Sequence, residues 1–342
     1  MLSNLVTIVL ANTIGLIFIL LLAPHAEKLG LLDRPTESKT HVEPAALIGG
    51  LSIYCAILTC LLLIDRPEKL NYLLAGITIL VVLGVADDIL SLPVKLRISA
   101  HFFTIFLMIF GGEVWIAELQ VSDSQIISIG IWGYLITGIV GVYVMNAFNM
   151  SDGIDGLAVV YALSCLILIV ISQMTYSEFR QLPWIASLAL ALIIFGIFNI
   201  GMVPRYKIFL GDAGSIPIGY ILFWLLIDFS QGGDSPSMHT IAALWCLVIP
   251  IFDATNVCIR RALEGASPTV GDKNHIHYAL LETGLKPPQI LVTLGTANFL
   301  LGCSGIFISH SYGPLTGVIA YVLTFLLYVF YDRKLQTDNS HQ

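Results

Sequence analysis

Residues 3–23 contain no charged side chain, and apolar runs of similar length recur along the whole chain. A bilayer core about 30 Å thick takes roughly 20 apolar residues of helix to cross, so such runs restrict the chain to a set of membrane-spanning helices. Further spans are expected near residues 45–64, 70–87, 98–112, 127–148, 156–173, 183–203, 213–229 and 239–258. A last run, 287–331, would be roughly 65–70 Å long as one helix at about 1.5 Å per residue, longer than any bilayer is thick. It must be two helices, and His310-Ser311-Tyr312-Gly313-Pro314 supplies the turn between them. The expected fold is an all-α integral membrane protein of about eleven transmembrane helices. It reads as one polytopic domain over 1–335, followed by a polar, disordered tail at 336–342. The first run has no basic n-region and no clear cleavage site, so it reads as a retained span.

Composition supports the same class. Hydrophobic residues make up 57% of the 342 and charged residues 11%, where globular domains carry about 25% charged. Mean hydropathy is +0.87. The net charge of −7 leaves no basic footprint for nucleic acid. Cys55, Cys60, Cys165, Cys246, Cys258 and Cys303 all sit in apolar runs and read as small buried hydrophobes, not as a disulfide framework or zinc site. With eleven spans, every lysine and arginine except Arg66, Lys69 and Arg180 falls on one side. By the positive-inside rule that side is cytoplasmic, which places the N-terminus outside and the C-terminus inside. The external loops are short and acidic, as Asp123 and Asp234 illustrate.

The notable polar residues gather on the same side. Asp87-Asp88 closes the third span, and Asn146, Asn149, Asp152 and Asp155 lie in NAFNMSDGIDGLA between the fifth and sixth. Asn199 ends the seventh, Gly211-Asp212-Ala213-Gly214-Ser215 opens the eighth, and His275 and His277 lie in the largest loop. Ionisable residues at span ends are functional candidates, but each has a plain alternative. Asp87-Asp88 could be a solvated helix end, although two carboxylates at a helix C-terminus oppose the macrodipole unless a cation is near. Asp152 could be an N-cap, the histidines solvated loop residues, and Lys95 and Arg97 simple anchors. Asp253 could pair with Arg260 or Lys207, and His101 reads as a satisfied polar residue. GDAGS suits tight helix packing or a phosphate, to which it would offer exposed backbone N–H groups and a metal-holding carboxylate. Together these groups suggest a magnesium-assisted phosphate site built from oxygen ligands. No zinc ligand set, Walker A loop or dinucleotide fingerprint is present.

The chain resembles the polyprenyl-phosphate N-acetylhexosamine-1-phosphate transferases nearly end to end. The resemblance rests on GLLDRPTESKTH with ALIGGLSIY, the ADD motif, NAFNMSDGIDGLA, RYKIFLGDAGS, IPIFD, and RR-x-x-x-G-x-SP leading into HIH. It implies an eleven-span fold in the cytoplasmic membrane. It also implies transfer of a sugar 1-phosphate, GlcNAc 1-phosphate foremost, from a UDP-N-acetylhexosamine to undecaprenyl phosphate. UMP would be released, Mg²⁺ would be required (with Mn²⁺ a conceivable substitute), and the product would start a cell-surface polysaccharide such as O-antigen. By position, Asp212 and Asn149 would hold the metal, and Asp152 and Asp155 would belong to the nucleotide and diphosphate pocket. Asn199 and Phe209 would lie near the uridine, with Asn146, Gly211 and Ser215 also lining substrate. Asp87, assisted by Asp88, would orient or deprotonate the lipid phosphate. His275 and His277 would meet the donor, and Lys95, Arg97 and Arg261 would reduce the repulsion between anions. A homodimer is compatible with this reading. Tyr278 stands where the family loop usually has a further histidine, and the TVGDKN stretch before it also departs from the usual pattern. The sugar is therefore less determined than the reaction.

Two other classes compete. A transporter would place polar residues at the bilayer midplane, commonly with internal repeats; here they gather at one face and no convincing repeat is found. CDP-alcohol phosphotransferases also begin a helix with Asp-Gly, but their pattern needs an Ala-Arg and two further aspartates that are absent after Asp152-Gly153.

Overall fold

The structure is a computed structural model describing residues 2–34, 44–122, 125–173, 182–203, 205–232, 237–265 and 274–340. Lys39, Asp123, Arg180, Asp234, Lys273 and most of TVGDKN lie outside the described residues. In chain order the helices are α1 (Leu2–Leu22), α2 (Gly49–Leu63), α3 (Lys69–Leu90), α4 (Val94–Phe110), α5 (Trp132–Met150), α6 (Leu157–Gln173) and α7 (Leu182–Asn199). They continue with α8 (Asp212–Gln231), α9 (Thr240–Trp245), α10 (Val248–Leu263), α11 (Ile276–Glu282), α12 (Pro287–Tyr312) and α13 (Pro314–Ser340). Two short antiparallel hairpins accompany them: β1 (Leu32–Asp33) with β2 (Ala45–Ala46), and β3 (Glu118–Ser122) with β4 (Gln125–Ser128).

Among the described residues, seven helices are long and apolar enough to cross a membrane: those at Ser3–His25, Lys69–Leu90, Trp132–Met150, Leu182–Asn199, Asp212–Gln231, Pro287–Tyr312 and Pro314–Thr337. The four other expected spans fall on α2, α4, α6 and the α9–α10 pair, each shorter than the 18 residues of the shortest of these seven. The long C-terminal run divides where expected: Gly313 takes φ +86° and Pro314 opens α13, since glycine tolerates positive φ and proline suits the first helical turn. The tail, expected to be disordered, instead continues α13 to Ser340. Gln336 holds it there, donating to Asp332 at 2.9 Å and accepting from Arg260 at 2.9 Å.

The expected span 239–258 is interrupted. Pro250 has no N–H and its ring clashes with the carbonyl four residues back, that of Cys246, so the helix breaks between α9 and α10. Asn298 of α12 satisfies the freed groups. Its Oδ1 accepts from Ile249 N (3.1 Å), and its Nδ2 donates to Cys246 O (3.2 Å) and Ser164 Oγ (3.0 Å).

The residues divide into two compact units. The first comprises Met1–Glu113, Gly138–Asn149 and Ser177–Trp224. In it, residues 46–50 zip to 207–210: Ala46 N donates to Lys207 O, Phe209 N to Ala46 O, Gly49 N to Phe209 O and Gly50 N to Leu210 O. This pairing ties the start of α2 to the segment that leads into α8. Gly50 and Gly84 then let α2 and α3 meet the first turn of α8, because a Cβ on either would overlap the backbone at Ala213. The second unit comprises Val114–Thr137, Met150–Tyr176 and Leu225–Gln342. There α12 packs on α6, α9 and α13, with Trp245 and Phe252 against Tyr321 in edge-on contacts. Helix α8 is the most enclosed, with 94% of its apolar window buried, against 11% for α13. Exposed Val318, Val322, Leu326 and Phe330 on α13 suit contact with lipid.

Candidate functional site

In the first unit, Pro93 ends the α3–α4 connection and sets the local geometry. Ser91 takes φ +52° as the C-cap of α3, and α4 begins just after Pro93. The tight link brings Arg97, on the first turns of α4, back to the carboxylates at the end of α3. Its Nη1 lies 2.7 Å from Asp87 Oδ2 and 3.2 Å from Asp212 Oδ2. Asp87 Oδ1 accepts from Leu92 N at 2.6 Å. This guanidinium is the cation that offsets Asp87 at the end of α3, and it bridges to Asp212.

Asp88 serves a different purpose. Its carboxylate accepts from Asp212 N (3.0 Å) and Ala213 N (3.4 Å), capping the N-terminus of α8 from another helix. Gly211 permits the approach: its φ is +67°, and a Cβ would stand 2.5 Å from Asp88 Oδ2. The remaining amides of the turn, Gly214 N and Ser215 N, donate to Gly211 O. The backbone N–H groups of Asp212, Ala213, Gly214 and Ser215 are thus engaged within the protein. Asn149, near the end of α5, donates through Nδ2 to Asp212 Oδ1 (2.9 Å) and to Ser215 Oγ (2.7 Å). Ser215 is 1% exposed and holds Asn149 in place.

The other predicted residues of this unit are placed around that group or away from it. Asn146 donates to Val142 O at 2.7 Å and lies 3.4 Å from His101 Nδ1, so His101 is the satisfied polar residue expected. Lys95 is exposed on the first turn of α4. Asn199 is buried and donates to Ile208 O at 3.0 Å. The Phe209 ring lies beneath Lys207 Nζ, 5.6 Å from the ring centre.

The resemblance implies a divalent cation, and the donor chemistry of these residues is compatible with one. Asp87 and Asp212 present carboxylate oxygens to a shared guanidinium, and the Asn149 amide lies against Asp212. These are hard oxygen donors of the kind Mg²⁺ takes, usually as one or two carboxylates completed by water and substrate phosphate. Among the described residues no group of three His, Cys, Asp or Glu side chains forms a ready-made metal cage.

The second unit carries the histidines. His275 is 4% exposed and His277 1%, so the solvated-loop reading does not hold. His275 is the N-cap of α11 and the two rings stack, 5.5 Å apart and 5° from parallel. The helix starting at the pair also brings the Tyr278 ring to 4.3 Å from that of His277. Burial pushes the His277 imidazole down to about 4, against the opposing pull of Asp253. Burial and the Asp152 carboxylate both push the Tyr278 phenol up. The Asp152-Gly153 turn packs on His277, and a Cβ at Gly153 would overlap Nε2. That Nε2 has no hydrogen-bond partner among the described residues. Asp152 and Asp155 are half-buried in the turn between α5 and α6, and Arg261 is 6% exposed on α10.

Sequence reasoning missed the partner of Asp253. Its Oδ2 lies 2.6 Å from His275 Nδ1, and its Oδ1 accepts from Ile276 N and Tyr328 Oη, each at 2.9 Å. Arg260, offered as a partner, turns to Asp332 (3.7 Å) and Asn274 O (2.7 Å). Asp253 and His275 are 22 residues apart and on different elements, so no local spacing signals the pair.

Residues 70–230 match the family model described as glycosyl transferase family 4. The chain is 31% identical over 334 residues to the undecaprenyl-phosphate alpha-N-acetylglucosaminyl 1-phosphate transferase of Escherichia coli strain K12, covering 95% of this chain and 89% of that protein. It is 32% identical over 338 residues to the enzyme of the same name from Salmonella typhi, covering 96% and 89%. The Haemophilus influenzae enzyme is 31% identical over 319 residues, covering 91% and 89%.

Proposed function

We infer the activity from one premise: the chain belongs to the polyprenyl-phosphate N-acetylhexosamine-1-phosphate transferase family. It transfers GlcNAc 1-phosphate from UDP-GlcNAc to undecaprenyl phosphate, giving undecaprenyl-diphosphate-GlcNAc and UMP. The observation that carries this reading is the gathering of Asp87, Asp88 and Asp212, from motifs over a hundred residues apart, around Arg97 and the start of α8.

In the reaction, a phosphate oxygen of the lipid forms a bond to the β-phosphorus of the UDP-sugar. The bond from that phosphorus to the bridging oxygen breaks, and its electrons leave with UMP. Such transfers depend on alignment and on neutralising charge at the phosphoryl oxygens. Both oxygens of Asp87 already accept hydrogen bonds, so its role is to aim the Arg97 guanidinium at the lipid phosphate. Asp88 fixes the first turn of α8 and thereby the position of Asp212. Asp212 and the Asn149 carbonyl oxygen would hold Mg²⁺, which supplies Lewis-acid neutralisation of the phosphoryl oxygens. His275 and His277 offer ring nitrogens to the donor, and Asp152 and Asp155 line its nucleotide and diphosphate. The proposed topology is eleven crossings of the cytoplasmic membrane with the N-terminus outside, a reading supported by the distribution of lysine and arginine.

The test is UMP release by the purified chain in detergent, with undecaprenyl phosphate, Mg²⁺ and a panel of UDP-sugars. UMP released from UDP-GlcNAc only when lipid and Mg²⁺ are both present supports the reading. No release from any UDP-N-acetylhexosamine refutes it.

A further inference from the structure

Asp253 is the sixth residue of α10, three after Pro250, and is 4% exposed. A carboxylate so enclosed is tolerated only when its oxygens are satisfied, and three donors from two other elements satisfy it. Oδ1 accepts from Ile276 N, the first helical amide of α11, and from Tyr328 Oη on α13. Oδ2 faces His275 Nδ1 at 2.6 Å. With Oδ1 already accepting twice, the carboxylate acts as an acceptor throughout, so Nδ1 carries the proton that joins it to Oδ2. This leaves Nε2 of His275 as the nitrogen that carries the lone pair.

We propose that Asp253 is a positioning residue that fixes the Nδ1–H tautomer and the ring orientation of His275, leaving Nε2 to act on the phosphates of the donor. The proposal rests on the activity inferred above. The groups around the imidazole agree with it. His277 stacks parallel to the ring and shields one face. Arg260 holds the preceding peptide through Asn274 O at 2.7 Å. Asp253 is the carboxylate facing Nδ1, and Tyr328 acts on it rather than on the imidazole. A carboxylate that orients a histidine from behind sets its tautomer and raises its basicity. Without it, the ring could rotate or change tautomer and present an N–H where a lone pair is needed.

Two measurements test this, one of them independent of turnover. In the full-length wild-type protein labelled with ¹⁵N-histidine, the resonances lost in His275→Ala must report a neutral Nδ1–H tautomer or an imidazolium. A neutral Nε2–H tautomer overturns the proposal even if the protein has no transferase activity. In the UMP-release assay, Asp253→Asn should lower kcat on the order of 100-fold, within the range of positioned acid–base groups. KM for the donor should move less than about three-fold, and Asp253→Glu should recover part of the loss. The pH–rate profile of Asp253→Asn should lose the limb that His275→Ala also removes. The double variant Asp253→Asn/His275→Ala should be no slower than His275→Ala alone. Multiplying losses in the double variant, or wild-type kcat in Asp253→Asn, would show that Asp253 does not act through His275. If the wild-type protein releases no UMP while the tautomer is as stated, the inferred activity fails and the Asp253–His275 pair stands.

Discussion

Asp212 is the residue on which the first cluster turns, since its side chain meets both Arg97 and Asn149 while its backbone amide is held by Asp88. Asp212→Asn should leave the protein folded, as judged by size-exclusion behaviour in detergent, and reduce UMP release to below about a tenth. Retention above a tenth would correspond to under roughly 1.4 kcal/mol of lost transition-state stabilisation, too little for an essential metal ligand. His277 makes a second prediction, about pH. Its folded-state pKa of about 4 lies below the ordinary 6.5, so between those values the unfolded chain binds the extra proton. Stability from this residue is complete above pH 6.5 and declines as pH falls towards 4, by about 3 kcal/mol in all. The melting temperature of wild type should therefore drop between pH 7.5 and 5 more than that of His277→Phe; equal drops would remove His277 as the cause. At this scale the sequence singled out candidate residues but did not give their surroundings. A loop position left solvation open for the histidines, and the partners that local sequence offered Asp253 did not include His275. The residues that enclose them come from α10, α11, α13 and the Asp152-Gly153 turn, and only packing brings these together.

Among the elements, the broken span α9–α10 is the most informative. Pro250 makes the break, but the break is tolerable in an apolar interior only because Asn298 meets both Ile249 N and Cys246 O. Asn298→Leu should leave two buried backbone groups without that partner, at about 1–3 kcal/mol each. A fall of several degrees in melting temperature is expected, and an unchanged value in detergent would mean that water or another group replaces the amide. The same economy appears at α8 and α11. Each begins with an amide bonded to a carboxylate from another helix, Asp88 in one case and Asp253 in the other. Helix starts were legible from glycine, proline and polar residues next to apolar runs. These caps supplied from a distance were not, because capping rules read side chains a few residues away.

For the whole molecule, the orientation prediction concerns the segment that joins α10 to α11. Single cysteines introduced at 266–273 in a cysteine-free variant should react with an impermeant maleimide in inside-out vesicles and stay unlabelled in intact cells. Labelling of intact cells would overturn the proposed cytoplasmic placement of this segment and of the histidines that follow it. The sequence by itself determined that the chain is a multi-pass helical membrane protein, because the length of an uncharged run and the cost of charge in lipid are properties of the run alone. It also singled out ADD, NAFNMSDGIDG, GDAGS and HIH as candidate motifs, because they are local strings of residues. Tertiary structure alone decided that Asp88 caps α8, that Arg97 joins Asp87 to Asp212, and that Asp253 stands behind His275. Each is a directional hydrogen bond between elements remote in sequence. Hydrophobic patterning, which is non-directional and short in range along the chain, carries no information about which of many buried polar groups will meet.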